Sequence, residues 1–405
     1  MSFIFSEQVD QLIDDQIKKA RILIVDDAAF NRMIVKEIYL ANGFVNLDFA
    51  ADGEEALRKT MKIHPDLVVL DIMMPKLDGT EYCSRIRKNT EFKQMPILVQ
   101  STLVNSETKA KIFTAGATDF IGKPIDPKEL IARTNIHLEN QNLVRRLVSY
   151  QERIKSEVDQ AADMLGSLLP EQRQIDVFSR RYQMQIGSFF KPISEIGGDF
   201  WGQRPISEKQ FAFYIVDFSG HGIHSAINVF RFHTIMTEKK IVALVDPGGI
   251  LTELNTQLNQ LLGKGHFATV FYGIVDIAQN VLLYSGTGSP QPLLYERETG
   301  RVQALDSSGI PLGVLPDVQY DTKMISFRPD DALLLYSDAY VEAENENGEH
   351  ITEEDLKANF SQMCQTGTLS AQQIVDTLVQ NFQERVGNFA MDDLTLNIYR
   401  RTTGQ

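Results

Sequence analysis

The chain has 405 residues, of which 43% are hydrophobic, and a formal net charge of −14 at pH 7. This length is sufficient for two or three domains with separate cores. The acidic balance excludes the basic surface that nucleic-acid binding requires, and no apolar run approaches the ~20 residues of a membrane span. The acidic N-terminus does not resemble a secretory signal, and Cys83 and Cys364 lie in unrelated contexts. We therefore expect a cytoplasmic protein with no nucleic-acid or membrane partner and no cysteine metal site.

The first third of the chain alternates short apolar runs with amphipathic stretches. Strands are predicted at "RILIVDD", "VNLDFA", "DLVVLDI", "PILVQS" and "DFIGKP", and each is followed by a stretch with helical character. Five strand–helix units of this length predict an α/β fold with a doubly wound parallel sheet covered on both faces. We assign this domain to residues 20–137, after an N-terminal extension of residues 1–19.

Acidic residues stand at the predicted strand ends of this domain. Asp26 and Asp27 follow the first strand, and Asp71 ends the third. In a doubly wound sheet these ends are neighbours, and three carboxylates there repel one another and require a cation such as Mg²⁺. Ser101 ends the fourth strand and Lys123 the fifth, so a hydroxyl and an ammonium would reach a phosphoryl group on Asp71.

This set of residues resembles the CheY-like receiver domain of bacterial response regulators. The resemblance implies that a histidine kinase or phosphotransfer protein phosphorylates Asp71, and that Asp26, Asp27 and Asp71 hold Mg²⁺. It also implies a set of switch residues that sense the phosphoryl group, namely Ser101, Phe120 and Lys123. Thr102 departs from the family, which usually has alanine there. Phosphorylation adds negative charge and acceptor oxygens, which would bias a two-state surface.

A long helical segment follows, since no strong helix breaker occurs between Pro127 and Pro170. Residues at a 3-4 spacing form an apolar seam with one polar position: Val144, Leu147, Gln151, Ile154, Val158, Ala161, Leu165 and Leu168. This seam predicts that residues 138–170 are a linker helix that pairs with a second copy as a parallel coiled-coil homodimer. The alternative is a single amphipathic helix that packs on its own chain, because the repeat covers only about four heptads.

The pattern changes after about Gln174. Strand-like runs recur at "YQMQIGSFF", "FAFYIVDF", "TVFYGIVDI", "VLLYSGTG", "DALLLYSD" and "LTLNIYR", and helical stretches lie near residues 225–240, 249–262 and 370–386. Strands that are adjacent in sequence, with grouped helices, predict an α+β domain with an antiparallel β-sandwich flanked by helices. We assign this domain to residues 171–405.

A second set of acidic residues occupies strand ends of this domain. Asp199 follows two glycines, Asp217 precedes a glycine-rich turn, Asp338 follows "LLLYS", and Asp392 and Asp393 precede the last strand. If these carboxylates converge, they form a site for two Mg²⁺ or Mn²⁺ ions. Such a pair positions a bridging water for in-line attack on a phosphate monoester and neutralises the charge that develops.

The order of these motifs resembles the metal-dependent PPM phosphatases (protein phosphatase 2C-like), in particular the bacterial SpoIIE-type branch. The resemblance covers about residues 168–400 and includes "MLGSLLP", "SGHG", "TVFYGIVD", "GIPLGV" and "DDLTL". It implies that Asp217 bridges both metals and that the Phe218 carbonyl is a further ligand. The remaining ligands and catalytic carboxylates would be Asp199, Asp338 and Asp392.

Three positions depart from the SpoIIE-type pattern. Gly202 replaces an acid in "GGDFYD", Ser289 stands where histidine is common, and Ala339 replaces a glycine. If position 339 requires a positive φ, its Cβ costs roughly 1–2 kcal/mol. None of these changes removes an expected ligand carboxylate. Gly197 and Gly198 are expected to allow a sharp turn before Asp199.

Together the two resemblances predict a response regulator whose output is a metal-dependent protein serine/threonine phosphatase. By resemblance, its substrate is a phosphorylated STAS-type anti-sigma factor antagonist in a partner-switching pathway, under the control of Asp71. The alternative, suggested by the three departures, is a phosphatase-like adaptor that has lost turnover and binds a sigma-factor regulator. Metal binding by the C-terminal half distinguishes the two. A DNA-binding output is disfavoured, because no helix-turn-helix pattern occurs and acids outnumber bases.

Overall fold

The computed structural model describes residues 17–102, 106–193, 196–220, 222–263, 265–345, 347–348, 350–387 and 392–402. Most of the predicted N-terminal extension, residues 1–16, therefore lies outside the described residues. The chain divides into two compact units, Met1–Arg153 and Ile154–Gln405. Within the described ranges, no helix is long and apolar enough to cross a membrane.

The first unit contains a parallel sheet in the order β2-β1-β3-β4-β5. Its strands are β1 Ile22–Val25, β2 Leu47–Ala50, β3 Leu67–Asp71, β4 Ile97–Ser101 and β5 Asp119–Gly122. Its helices are α1 Ala29–Ala41, α2 Gly53–Ile63, α3 Gly79–Ile86 and α4 Ser106–Thr114, with a 3-10 turn at Thr90–Phe92. This arrangement confirms the α/β fold expected for the first domain.

Both faces of this sheet contact hydrophobic clusters, and β1 is apolar and buried at every position. In β1, Leu23 and Val25 enter one hydrophobic cluster, whereas Ile22 and Ile24 enter another on the opposite face. Side chains alternate across a strand, so a strand covered by helices on both faces reads as a continuous apolar run. Asp71 and Ser101 are the last residues of β3 and β4, at the carboxyl edge of the sheet where the candidate site lies.

Helix α5 spans Pro127–Gly166, 40 residues without interruption. Leu130, Thr134 and Leu138 near its start are buried in the first unit. Val144, Leu147 and Ile154 in its middle are exposed by 40%, 62% and 42%. The predicted linker helix is therefore present, and it begins before residue 138 because the last receiver helix and the linker are continuous.

The two ends of the predicted coiled-coil seam differ in their environment. Leu165 and Leu168 pack against a hydrophobic cluster of the second unit, and Leu169 does the same. At these two positions the alternative of packing on the same chain is correct, because the leucines contact an intramolecular core. Pairing with a second copy stays a prediction for the exposed positions.

The second unit contains two antiparallel sheets, ordered β13-β10-β9-β8-β7 and β12-β11-β14-β15-β6. The strands are β6 Met184–Lys191, β7 Asp199–Pro205, β8 Gln210–Phe218, β9 Ala268–Asp276, β10 Val281–Thr287, β11 Leu293–Glu296, β12 Arg301–Ala304, β13 Lys323–Ser326, β14 Ala332–Tyr336 and β15 Leu394–Arg401. The helices are α6 Gln172–Tyr182, α7 Ile223–Met236, α8 Lys239–Ala243, α9 Pro247–Leu261, α10 Ala339–Glu342, α11 Glu353–Thr366 and α12 Ala371–Val386.

Three hydrophobic clusters hold the two sheets and their helices together. One lies between the sheets and includes Phe213 of β8 and Leu333 of β14. The second joins the β8 sheet to α7 and α9, and the third joins the β15 sheet to α11 and α12. This layering confirms the antiparallel sandwich with flanking helices.

Several short elements were absent from the sequence-based prediction. β11, β12 and β13 are four residues long, and β12 and β13 contain no buried residue. Helices α6 and α11 were also not predicted. Short strands at or near a sheet edge lack the apolar runs that marked the longer strands, so tertiary pairing decides their conformation.

Candidate functional site

The first acidic site lies at the carboxyl ends of β1 and β3. Asp26, Asp27 and Asp71 each offer a carboxylate oxygen, and these oxygens all lie within 4.8 Å of one another. Lys123 Nζ donates to Asp26 Oδ2 at 2.9 Å and to Asp71 Oδ2 at 2.7 Å. Three converging carboxylates with one ammonium fit a hard divalent cation, which supplies the positive charge that Lys123 alone does not.

Local hydrogen bonds fix the orientation of two of these carboxylates. Asn31 Nδ2 donates to both oxygens of Asp26 at 3.1 Å, and the Ala28 amide donates to Asp26 Oδ1. The Ile72 amide donates to Asp71 Oδ1 at 2.8 Å. Burial raises the pKa of Asp71, while the hydrogen bond from Lys123 acts in the opposite direction. Asp71 therefore lies at the carboxyl end of the central strand, beside the ammonium group of Lys123.

The predicted switch residues lie on the adjacent strands β4 and β5. Ser101 is buried, and its carbonyl accepts from the Lys123 amide at 2.9 Å. Phe120, at the other end of β5, is half-buried, and Lys109 Nζ lies 4.8 Å from the centre of its ring. Ser101 and Lys123 therefore lie at the same carboxyl edge of the sheet as Asp71. Phe120 lies in β5, the strand that precedes Lys123.

Strand β5 is also attached to helix α5 by an ionic cluster that was not predicted. Asp119 accepts from Arg133 Nη1 through both carboxylate oxygens at 2.8 Å and contacts His137 Nε2 at 3.0 Å. Burial opposes its charge, but the hydrogen bonds from His137 and Arg133 outweigh this and lower the pKa of Asp119. The sequence held a signal, because residues 129, 133 and 137 share one helix face. This cluster connects the strand of Phe120 and Lys123 to the long helix.

The second acidic site is assembled from four strand ends. Asp199 of β7 pairs directly with Asp217 of β8 in the antiparallel register. Asp199, Asp217 and Asp338 line one small cavity, and Asp392 lines a second cleft. The charge of Asp392 acts on both Asp217 and Asp338, so it lies near them. The fold therefore brings together carboxylates that are separated by nearly two hundred residues in sequence.

Burial and mutual repulsion disfavour the ionised form of three of these carboxylates, those of Asp199, Asp217 and Asp338. Burial and the charges of Asp338 and Asp392 raise the pKa of Asp217 to about 7. Burial and the charge of Asp392 raise the pKa of Asp338 to about 6. Burial and the charge of Asp217 raise the pKa of Asp199. Divalent cations would stabilise the ionised form of such buried, mutually repelling carboxylates, because their positive charge offsets the repulsion.

The two acidic sites differ in compactness. Among the described residues, Asp26, Asp27 and Asp71 are the trio whose oxygens all lie within 4.8 Å. In the part of the chain that the structure describes, no three of Asp199, Asp217, Asp338 and Asp392 meet this limit. A site for two ions about 3.5–4 Å apart distributes its ligands over both ions, so its ligands do not have to meet it.

These pKa shifts predict how chelator-treated protein responds to pH. Asp217 binds its proton between pH 3.8 and about 7 in the folded state but not in the unfolded state. The free energy of unfolding should therefore fall as pH rises through this window, and Mn²⁺ should restore it at pH 8. Thermal unfolding at pH 5 and pH 8 checks this, and the Asp217→Asn variant is the control. An identical pH dependence in both proteins would contradict the prediction.

Asp393 organises the turn that leads into β7. Its carboxylate accepts from the amides of Ile193 at 2.9 Å, Gly198 at 2.5 Å and Asp199 at 3.2 Å. Asp393 is buried, whereas the adjacent Asp392 is exposed. From the sequence, Asp393 was one of the strand-end acids but was not among the expected ligands. The adjacent pair was a signal, since neighbouring residues of an extended segment point in opposite directions.

Two hydroxyl groups complete the support of this site. Thr395 Oγ1 donates to Asp199 Oδ2 at 2.5 Å. Ser337 Oγ donates to the Asp393 carbonyl oxygen and accepts from the Thr395 amide, both at 2.9 Å. Strands β14 and β15 are therefore linked beside Asp199, and its carboxylate is held in one orientation.

The two glycines before Asp199 are required by close approach rather than by a positive φ. A Cβ at Gly197 would collide with the Asp393 carboxylate, and a Cβ at Gly198 would lie 2.9 Å from the Phe218 carbonyl oxygen. The expectation that these glycines allow a sharp turn before Asp199 therefore describes only part of their role. These glycines allow the turn, the Asp393 carboxylate and the Phe218 carbonyl to come close together.

The structure accounts for two of the three departures from the family pattern. Ala339 has no positive φ and begins α10, so the expected backbone cost does not arise. A side chain at Gly202 would collide with the Tyr214 hydroxyl, which explains why the usual acid is absent. Ser289 lines the cavity with Asp217 and hydrogen-bonds Ser307 at 2.5 Å. The expected four carboxylates are unaffected by these changes.

The fold and the two sites define a class of protein. A parallel sheet with an acidic trio and a lysine, followed by a sandwich with strand-end carboxylates, combines a receiver with a phosphatase fold. The sequence profile described as "Response regulator receiver domain" matches residues 22–135. That described as "Stage II sporulation protein E (SpoIIE)" matches residues 207–402. The chain thus carries a response-regulator receiver domain followed by a domain of the SpoIIE/PPM phosphatase family.

Individual relatives match one part of the chain each. "Phosphoserine phosphatase RsbP" of Bacillus subtilis is 30% identical over 164 residues, which are 40% of this chain and 40% of that protein. "Probable transcriptional regulator ycf27" of Porphyridium aerugineum is 42% identical over 29% of this chain and 47% of that protein. The chain thus spans less than half the length of both curated relatives.

A solved structure supports the fold of the second domain. The SiaA-PP2C domain of Pseudomonas aeruginosa superposes with a TM-score of 0.54 at 21% identity. The match covers 62% of this chain and 98% of that domain. At this identity the comparison establishes the shared fold, and the chemistry must be argued from the residues.

Proposed function

We propose that the chain is a two-component response regulator whose output is a metal-dependent protein serine/threonine phosphatase. The observation that carries this proposal is the convergence of Asp199, Asp217 and Asp338 on one cavity, with Asp392 beside it and with raised pKa values at the first three. A fold stabilised by its hydrophobic cores tolerates such repulsion at a functional site, where a bound cation offsets it.

The residues of the site divide into ligands and supports. In this proposal Asp199, Asp217, Asp338, Asp392 and the carbonyl oxygen of Phe218 would hold two Mn²⁺ or Mg²⁺ ions. The metal pair supplies a nucleophilic water and neutralises the phosphate charge. Thr395 fixes the Asp199 carboxylate, and Asp393 fixes the backbone that presents it.

The proposed substrate is a phosphoserine or phosphothreonine on a STAS-type anti-sigma factor antagonist in a cytoplasmic partner-switching pathway. The similarity to a phosphoserine phosphatase supports this substrate class. The test is release of phosphate by the full chain, with Mn²⁺, from a phosphoserine peptide and from a phosphorylated antagonist. Absence of metal binding by calorimetry, together with no phosphate release, would favour the adaptor alternative.

For the receiver, we propose that a histidine kinase or phosphotransfer protein phosphorylates Asp71 in the presence of Mg²⁺. The boundaries proposed for the N-terminal extension, receiver, linker and phosphatase domain are residues 1–19, 20–137, 138–170 and 171–405. The Asp119 cluster offers a route from β5 to helix α5. The exposed apolar residues in the middle of α5 support a homodimer through this helix.

This proposal predicts coupling between Asp71 and phosphatase output. Asp71→Ala protein and wild type treated with beryllium fluoride, an acyl-phosphate mimic, should differ in phosphatase rate by about tenfold, a typical allosteric coupling. Arg133→Gln should reduce this difference, because it releases β5 from α5. Lys128→Gln, an exposed substitution on the same helix, is the matched control. Phosphate release gives the phosphatase rate, and light scattering gives the molecular mass. Equal rates and equal masses for Asp71→Ala protein and beryllium-fluoride-treated wild type would contradict the coupling.

A further inference from the structure

A cleft adjoins the second acidic site. It has a volume of about 340 Å³ and shares Asp392 with that site. Its walls combine apolar side chains, those of Phe189, Ile193, Phe382 and Leu394 among them, with polar ones that include Lys191. An apolar cleft that opens beside hydrolytic carboxylates can receive an apolar side chain close to the reacting phosphate.

The charges around the second acidic site are strongly negative. Four expected ligand carboxylates are joined by Asp393 and Glu342, both of which act electrostatically on Asp217. Two divalent cations would neutralise the four ligands and leave two negative charges. These two remaining negative charges repel a phosphorylated, acidic polypeptide unless a positively charged side chain lies nearby.

Lys191 is the cation that this region offers. Among the described residues that line the cleft and the small cavity of Asp217, Lys191 is the sole lysine or arginine. It is exposed at the end of β6, and it pairs in register with Leu394 of β15, two residues after Asp392. The sheet therefore fixes the position of Lys191 relative to the ligand Asp392.

We propose that this cleft binds the polypeptide segment that carries the phosphorylated residue. An apolar side chain of that segment packs against Phe189 and Phe382, and an acidic side chain pairs with Lys191. This inference rests on the proposed phosphatase function and adds the determinant of peptide specificity. The combination of apolar walls, one cation and a shared ligand residue suits such a segment better than a small phosphomonoester, which has no side chain for the cleft.

The test uses synthetic phosphoserine peptides with a leucine next to the phosphoserine. Aspartate or asparagine is placed at each other flanking position in turn. At the flanking position that contacts Lys191, the Lys191→Gln variant should have an approximately fivefold higher KM for the aspartate peptide. Its KM for the asparagine peptide should be unchanged. A fivefold change is the size expected for the loss of an exposed ion pair. Lys191→Glu should prefer the peptide with lysine at that position. Lys357→Gln, an exposed lysine of α11, is the matched control.

Binding of fluorescent peptides to the Asp217→Asn variant keeps this test separate from catalysis. The same Lys191 dependence of the dissociation constant supports the cleft even if turnover is absent. Equal effects of Lys191→Gln on aspartate and asparagine peptides at every position, or no effect, would overturn the cleft assignment. Hydrolysis by the wild type in that case would still support the phosphatase.

Discussion

Replacement of Asp217 by asparagine is expected to lower Mn²⁺-dependent phosphate release by about 10³-fold, the rate equivalent of about 4 kcal/mol. Asp217 lies opposite Asp199 and shares its cavity with Asp338. In the proposed site the Asp217 carboxylate would hold the metal ions. An asparagine amide carries no negative charge and would bind a divalent cation more weakly.

The control for this prediction is Asp276→Asn. Asp276 is also buried at a strand end, but it lies at the opposite end of the sheet and accepts from Gln210 and from two turn amides. Its replacement tests the general effect of removing a buried acid. Phosphate release and Mn²⁺ calorimetry should separate the two variants. Wild-type activity in Asp217→Asn protein would refute the two-metal assignment.

The second large effect is expected for Asp393→Ala. This change removes the acceptor of three backbone amides, at Ile193, Gly198 and Asp199. Each buried donor left without a partner costs about 1–3 kcal/mol, so the free energy of unfolding should fall by about 3 kcal/mol. Activity should also fall, because Asp199 is no longer held at the position that its strand and Thr395 define.

Asp393→Asn separates charge from geometry. Asparagine retains one acceptor oxygen, so it should recover part of the stability while activity stays below wild type. Urea unfolding gives the stability, and Mn²⁺ titration of phosphate release gives the metal affinity. If the alanine variant binds Mn²⁺ and turns over as the wild type does, the organising role of Asp393 is wrong.

The strand-end carboxylates could be predicted from the sequence, because each acidic residue stands at one end of an apolar run. Asp71 ends an entirely buried strand, and Asp217 is the penultimate residue of β8, after six consecutive buried positions. Parallel strands bring their carboxyl ends to one edge, so the receiver site followed from order alone. The meeting of Asp199 with Asp217 required the antiparallel register, which sequence order suggested but did not specify.

Other features were inaccessible to pattern reading because they depend on contacts between distant residues. The clash that fixes Gly202 involves Tyr214 on the neighbouring strand, and the clash at Gly197 involves a carboxylate nearly two hundred residues away. The conditional cost at Ala339 does not arise, because φ is not positive there and the chain enters α10 at this residue. The seam of α5 ends early, because Leu165 and Leu168 contact a core that the heptad pattern does not reveal.

The sequence by itself determined the two fold classes, the long helix and the identity of the acidic residues, because periodicity and strand-end polarity are local properties. The tertiary structure alone decided which acid of the Asp392–Asp393 pair faces the cleft and which supports the backbone. It alone joined Asp119 to Arg133 and placed Lys191 beside Asp392. These outcomes depend on strand register and helix packing, which bring together side chains that no spacing in the sequence relates.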